Sequence, residues 1–198
     1  MAKNIVSQIS VHQEHELLVK LEAAGLTGEL AQKVIESRGN ALAKEIVGLV
    51  GGPGPAFPSH SVVVDYNLTV ERLIRDGRYD WVNSDITSHN FPSSEKGKAA
   101  VDVFLVNFDR NISSEDAIRE MGVQGLRPAS LKELLALGVV YPNLQRENPI
   151  VALGSTWRYP GGSLNVPYLD GHVLDRYLRL GWFEGDWFPY RRVAAVRK

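Results

Sequence analysis

Two stretches of the chain gather side chains able to move protons, hold a metal or stack on a ligand. The first runs Asp80, Trp81, Asn83, Asp85, Thr87, His89 and Asn90, with two carboxylates and an imidazole close together. Asp85 and His89 are four positions apart, so on a helix they would meet as a general acid–base pair or a weak metal site. The neighbours Asn83-Ser84-Asp85 and Phe91-Pro92 argue instead for a turn, in which Asp and Asn side chains bond to their own backbone. The turn is the preferred reading.

The second stretch is C-terminal and holds Trp157, Tyr159, Tyr168, Asp170, His172, Asp175, Tyr177, Trp182, Glu184, Asp186, Trp187 and Tyr190. Arg158, Arg176, Arg179, Arg191 and Arg192 are interleaved with them. Trp, Tyr and Arg dominate interaction hot spots and stack on planar groups, so this composition suits a recognition surface. From Ser155 to the end there are seven Lys or Arg against four Asp or Glu, a local excess that keeps nucleic acid in view as a partner. Strand alternation from Leu178 to Phe183 sets Leu178, Leu180 and Trp182 on one face, which predicts a buried Trp182. His172, flanked by Asp170 and Asp175, could act in a proton relay or metal site, but a His beside Asp-Gly is more often a solvated loop residue. Ser155, in Gly-Ser-Thr-Trp, lacks the Gly-x-Ser-x-Gly elbow of a nucleophilic serine.

Composition closes several classes. The 198 residues contain no Cys, which excludes a disulfide framework, a Cys-ligated zinc or iron–sulfur site and a cysteine nucleophile. A formal charge of −1 removes the bulk electrostatic footprint of a nonspecific nucleic-acid binder. The opening Met-Ala-Lys-Asn-Ile-Val-Ser-Gln has no apolar core of signal-peptide length, and no stretch approaches the roughly 18 apolar residues of a membrane span. A cytoplasmic protein without membrane association is the expectation, and no cofactor is called for.

The elements that must position these groups fall on either side of a Gly/Pro-rich segment, residues 51–61, read as a linker. Its glycines are not followed by Gly-Lys-Ser/Thr, so it is no phosphate loop. Residues 1–50 read as a three-helix module. Leu17, Leu18, Leu21 and Ala24 mark the first helix; Leu30, Ala31, Val34 and Ile35 the second; Leu42, Ala43, Ile46, Val47 and Val50 the third. Gly25, Thr27 and Gly39-Asn40 supply the breaks and caps.

Residues 62–198 read as one α+β domain. Val62 to Val64 is a short strand, Thr69 caps a helix that turns Val70, Leu73 and Ile74 inward, and Tyr79 to Val82 is a second strand after the Asp76-Gly77 turn. Ala100 to Phe108 has apolar residues on both faces and is expected to be central. Ser113 and Ser130 start helices, the latter with Glu133 in the capping-box position and Gly138 as its stop. Ile150 to Leu153, Leu164 to Leu169, Leu178 to Phe183 and Arg192 to Val196 are strands, giving a mainly antiparallel sheet.

Three resemblances add to this. Ala24-Gly25-Leu26, Glu29, Ala31, Val34-Ile35, Gly39-Asn40, Ala43 and Val47 to Val50 resemble the ubiquitin-associated type of three-helix domain, which also opens elongation factor Ts. That resemblance implies that Gly25, Leu26 and the third helix touch a protein partner; a DNA-binding helix-turn-helix is weakened by Glu beside Lys33, Arg38 and Lys44, and a bundle that only caps the fold is an equal alternative. Leu126-Arg127-Pro128-Ala129-Ser130-Leu131-Lys132-Glu133-Leu134, Gly154-Ser155-Thr156-Trp157 and the closing Arg192 to Arg197 are similar to bacterial C-type-lectin-like domains, whose catalytic relatives are the formylglycine-generating enzymes. The Pro stands one place early, with Ala129 where Pro is expected. Formylglycine chemistry needs cysteines, so that activity does not carry over, and Glu147-Asn148-Pro149 and Asp186-Trp187-Phe188 depart from the loops that hold calcium in sugar-binding lectins. Finally, Tyr79 to Thr87, Leu126 to Leu137, Ile150 to Trp157, Val166 to Leu169 and Gly181 to Trp187 resemble phrases of an uncharacterised family of predicted proteins from environmental bacterial genomes, which implies shared architecture and names no activity.

The expectation is therefore a non-enzymatic binding module that takes a protein or other ligand on its C-terminal aromatic and arginine residues: Trp157, Arg158, Tyr159, Tyr168, Asp170, His172, Trp187 and Tyr190. A hydrolase-type enzyme using Asp85, His89, Asp170 and His172, and a nucleic-acid binder using the C-terminal arginines, are the competing readings.

Overall fold

A computed structural model of the chain describes residues 16, 19, 27–36 and 57–198. The chain divides into two compact units, Met1–Val47 and Gly48–Lys198. In the first, α1 spans Gly28–Glu36, where the leucine and alanine spacing places the second helix. The first and third helices of the expected module, and residues 51–56 of the linker, lie outside the described residues.

In the second unit the strands are β1 (Ser59–Asp65), β2 (Trp81–Val82), β3 (Lys98–Val106), β4 (Leu126–Pro128), β5 (Ile150–Val151), β6 (Trp157–Arg158), β7 (Leu164–Gly171), β8 (Arg176–Trp182) and β9 (Arg192–Arg197). The helices are α2 (Val70–Gly77), α3 (Ser114–Val123), α4 (Leu131–Val140) and the single turn α5 (Leu144–Glu147). Ser59 to Ser61 belong to β1, so the strand reaches three residues into the segment read as linker. The nine strands among the described residues join one sheet of order β1-β3-β9-β5-β7-β8-β2, with β4 on β9 and β6 on β7. Pairing is antiparallel except for β5 with β9 and β2 with β8. The unit is α+β, and β3 is internal, between β1 and β9, as its two apolar faces require.

Each face of the sheet carries its own core. On the first, Val62, Val64, Val103, Leu105, Ile150, Leu169 and Leu178 pack with Val70 and Leu73 of α2 and with Leu131, Leu134, Leu135 and Leu137 of α4. On the second, Phe104, Val106, Val151, Val166, Val193 and Ala195 pack with Ala117 and Met121 of α3, Ile112 and Trp187. Alternation along β3, β5, β7 and β9 feeds the two cores in turn, whereas β1 and β8 feed only the first. Leu134, Leu135 and Leu137 are all fully buried, because α4 is covered on both sides.

The helix starts follow local chemistry. Thr69, Ser113 and Ser130 each accept a hydrogen bond from the third backbone N–H of the helix that follows, and Glu133 returns the bond to Ser130 to complete a capping box. The stops depend on tertiary packing. α4 runs two residues beyond Gly138, which is not its stop. A Cβ at Gly138 would overlap the Tyr79 hydroxyl and crowd Leu169 at 3.1 Å, so glycine serves close packing there. The left-handed residue after α2 is Arg78 (φ 50°), while Gly77 leaves room for the Tyr79 ring.

Candidate functional site

Parity along β7 and β8 decides which C-terminal side chains share a face. Tyr168 and Asp170 of β7 stand opposite Arg179 and Tyr177 of β8, and Tyr177 in turn stands beside Trp81 of β2. These residues line the second face where its core ends: Val166 is fully buried, whereas Tyr168 only packs against the rim. The Trp81 ring is 48% exposed, and Tyr190, which precedes β9, is 52% exposed.

Cations and rings alternate across this face. The Arg179 guanidinium carbon lies 5.5 Å from the Trp81 ring and 4.6 Å from that of Tyr177. Arg191 lies 5.0 Å from the Tyr168 ring, 5.3 Å from Trp187 and 5.9 Å from Tyr190. The Tyr190 ring stacks on Phe188 at 5.9 Å and 6°. A guanidinium held over aromatic rings keeps its planar fork of donors, and packing has already removed much of its rotamer freedom. Arg179 Nε faces the Asp170 carboxylate at 3.4 Å, an ion pair without hydrogen-bond geometry. Among the described residues, the Nε–H groups of both Arg179 and Arg191 are thus buried with no hydrogen-bond acceptor. Burial raises the Tyr168 phenol above its ordinary pKa against the opposing pull of Arg191, which keeps it a neutral donor. The result is a ladder of flat, preorganised cations suited to carboxylates or other planar anions.

The eight residues singled out from the sequence are not gathered in one place. Tyr168 belongs to the ladder, Asp170 pairs with its Arg179, Tyr190 closes its end, and exposed His172 stands edge-on to Tyr177 at 6.0 Å. Trp187 supports the ladder from below: it is 4% exposed and its Nε1 donates to Ser114 Oγ at 2.8 Å, so its ring is core. Trp157 packs against the other core and edge-on to Tyr159 at 5.7 Å, while Arg158 bonds the Gly162 carbonyl. Those three sit on and beside β6, at the opposite end of β7 from Asp170. Sequence reasoning grouped Trp81 with the turn that follows it and not with the C-terminal surface, because it is distant in sequence and reaches the ladder only through the β2–β8 pairing.

Two further expectations change. Trp182, expected to be buried, is 72% exposed: Leu178 earlier on the same strand is fully buried, and by Trp182 the first-face core has ended. Arg176, grouped by sequence with the recognition arginines, is 7% exposed. It donates to the carbonyls of Gly77 and Gly138 and to Gln145 Oε1, and it stacks on Tyr79 at 4.8 Å. It ties α2 and α4 to β8.

No hydrogen bond or ion pair among the described residues joins the acid–base candidates Asp85, His89, Asp170 and His172 to one another. The Asp85 N–H donates to Asn83 Oδ1 and the Asp85 carbonyl accepts from Asn90 Nδ2, which is the turn the residue types favour. Asp170 and His172 lie on and just beyond the end of β7 instead. Three clefts of about 580, 400 and 380 Å³ are lined by none of these four residues. Among the described residues no group of three or more His, Asp or Glu is arranged to hold a metal ion. Also among them, no helix is long and apolar enough to cross a membrane. Compared with protein-family models, with curated proteins and with solved structures, the chain matches none.

Proposed function

We propose that the α+β unit is a non-enzymatic binding module that takes an acidic protein segment on the arginine–aromatic ladder of its second sheet face. The carrying observation is the alternation Trp81, Arg179, Tyr168, Arg191 and Tyr190 across one sheet face, with both guanidinium groups held flat over rings. Carboxylates of a partner would engage the outward N–H edges of the guanidinium groups, and its apolar side chains would cover Trp81, Phe188 and Tyr190, each about half exposed. Acidic residues beside the ladder favour a polypeptide over nucleic acid. Asp80 is exposed beside Trp81, and Asp170 pairs with Arg179, so a continuous phosphate backbone would meet repulsion that spaced carboxylates avoid. We also assign the unit to the C-type-lectin-like class. The Ser130–Glu133 capping box and the closing β9 support this, since both fall on the phrases that carry the resemblance.

The test is an array of acidic peptides with interspersed aromatic residues, probed with the wild type and with an Arg179→Gln/Arg191→Gln variant. Wild-type binding to a subset, weakened roughly tenfold or more in the variant, is the expected result. Absence of binding overturns the reading, as does tighter, steeply salt-dependent binding to a single-stranded oligonucleotide, which would transfer the face to nucleic acid.

A further inference from the structure

The largest of the three clefts lies where β1 begins, β3 ends, α5 passes and β9 begins, and no ladder residue lines it. Its apolar lining comes from Phe57, Leu105, Leu144 and Ile150, and its polar lining carries both signs of charge: Asp109 and Glu147 against Arg192. His60 also lines it. The imidazole is fixed edge-on to Tyr141 at 5.0 Å, and its Nδ1 is buried with no hydrogen-bond partner among the described residues. A buried ring nitrogen with nothing to bond is costly unless a ligand or water supplies the partner.

The charged groups are presented by constrained backbone. Asp109 adopts a left-handed conformation (φ 53°), and the Asn107 side-chain amide bonds its carboxylate. Asp tolerates that region better than most residues, so the position is held at modest cost. Arg192 donates one N–H to the Pro189 carbonyl at 3.3 Å, and its backbone N–H is tied to Pro149 O at 2.9 Å, which leaves the remaining guanidinium donors for a ligand.

We infer that this cleft binds a small zwitterion of the amino-acid type. Its carboxylate would lie on Arg192, its ammonium on Asp109 and Glu147, and its apolar side chain along Leu105 and Ile150. The alternatives fail on charge. A dianion would face two carboxylates, a simple amine would balance the lining's charge but offer no acceptor to the free Arg192 donors, and an apolar molecule would strand every polar group of the lining. A volume of about 580 Å³ accommodates such a molecule together with bridging water.

The experiment follows the melting of the full chain with millimolar leucine or phenylalanine, and with the corresponding amines and deaminated acids that lack one charge. The expected result is a rise in Tm with a zwitterion and none with either single-charge analogue. Arg192→Gln and the double variant Asp109→Asn/Glu147→Gln should each weaken the effect roughly tenfold or more. Asparagine keeps the left-handed backbone at position 109, and Glu147 is exposed, so the double variant tests the site even if Arg192→Gln fails to fold. No shift with any zwitterion overturns the inference; so do equal shifts with the analogues, or undiminished binding in the double variant.

Discussion

Arg176 illustrates how little a residue's type says about its task. Its guanidinium is the same group that Arg179 offers to the ladder on the same strand, yet burial holds its pKa below the ordinary arginine value and its donors saturate the carbonyl ends of two helices. Replacing it with Met keeps the apolar stem and strands two buried carbonyls together with the Gln145 amide oxygen. Arg176→Met should cost about 3 kcal/mol of unfolding free energy, and Arg176→Lys should recover little of it, because an ammonium cannot span the same acceptors. Urea denaturation of the two variants measures both effects. Glu133 is a second buried charge with a structural task. Burial alone would raise its pKa, but the Arg127 ion pair, the Ser130 N–H and the Tyr66 hydroxyl outweigh it and hold the carboxyl below its ordinary value. The polar set Ser130 to Glu133 was legible from spacing. The closure of the network by Tyr66, just past the end of β1, was not.

At the scale of elements, helix starts were readable because a cap is a local event, satisfied by a side chain within three residues of the N–H it bonds. Strand extents were less so. β4 and β6 have three and two residues, too few for any alternation to register, and each exists because a longer strand offers it an edge. Bonds between elements also set a pH response. Glu71, in the first turn of α2, accepts the N–H and hydroxyl of Ser88 at 2.7 Å each, and these bonds draw its carboxyl down to about 2 from an ordinary 4.5. A carboxyl depressed in the folded state stabilises the fold fully above its unfolded value and loses that contribution as the pH falls through the folded one. The link between α2 and the 83–91 turn should therefore weaken as pH falls from about 4.5 towards 2. Glu71→Gln should lower Tm at neutral pH and flatten the acid limb of a Tm-against-pH profile recorded by circular dichroism.

For the whole molecule, both hydrophobic cores draw, among the described residues, only on those from Phe57 onward. A chain comprising residues 57–198 should consequently fold by itself, with a Tm within a few degrees of the full-length protein. A truncated chain that loses its cooperative thermal transition would show that residues before Phe57 contribute to its stability. The charge of −1 also gains meaning at this scale. It is the balance of 22 Lys and Arg against 23 Asp and Glu over the whole chain, within which the ladder arginine Arg179 is itself paired with Asp170.

The sequence by itself determined the α+β class, the helix starts, the internal position of β3 and the exclusion of every thiol chemistry, because each rests on residue identity or on spacing within a few positions. Only the tertiary structure decided which aromatics are available. Trp182 and Trp187 are close neighbours in the chain, one 72% and the other 4% exposed, and Trp81 joins Arg179 across a parallel pairing that no local pattern encodes. The reason is physical: side-chain period fixes which face of a strand a residue occupies, whereas the packing of α3, α4 and neighbouring strands decides whether that face is covered.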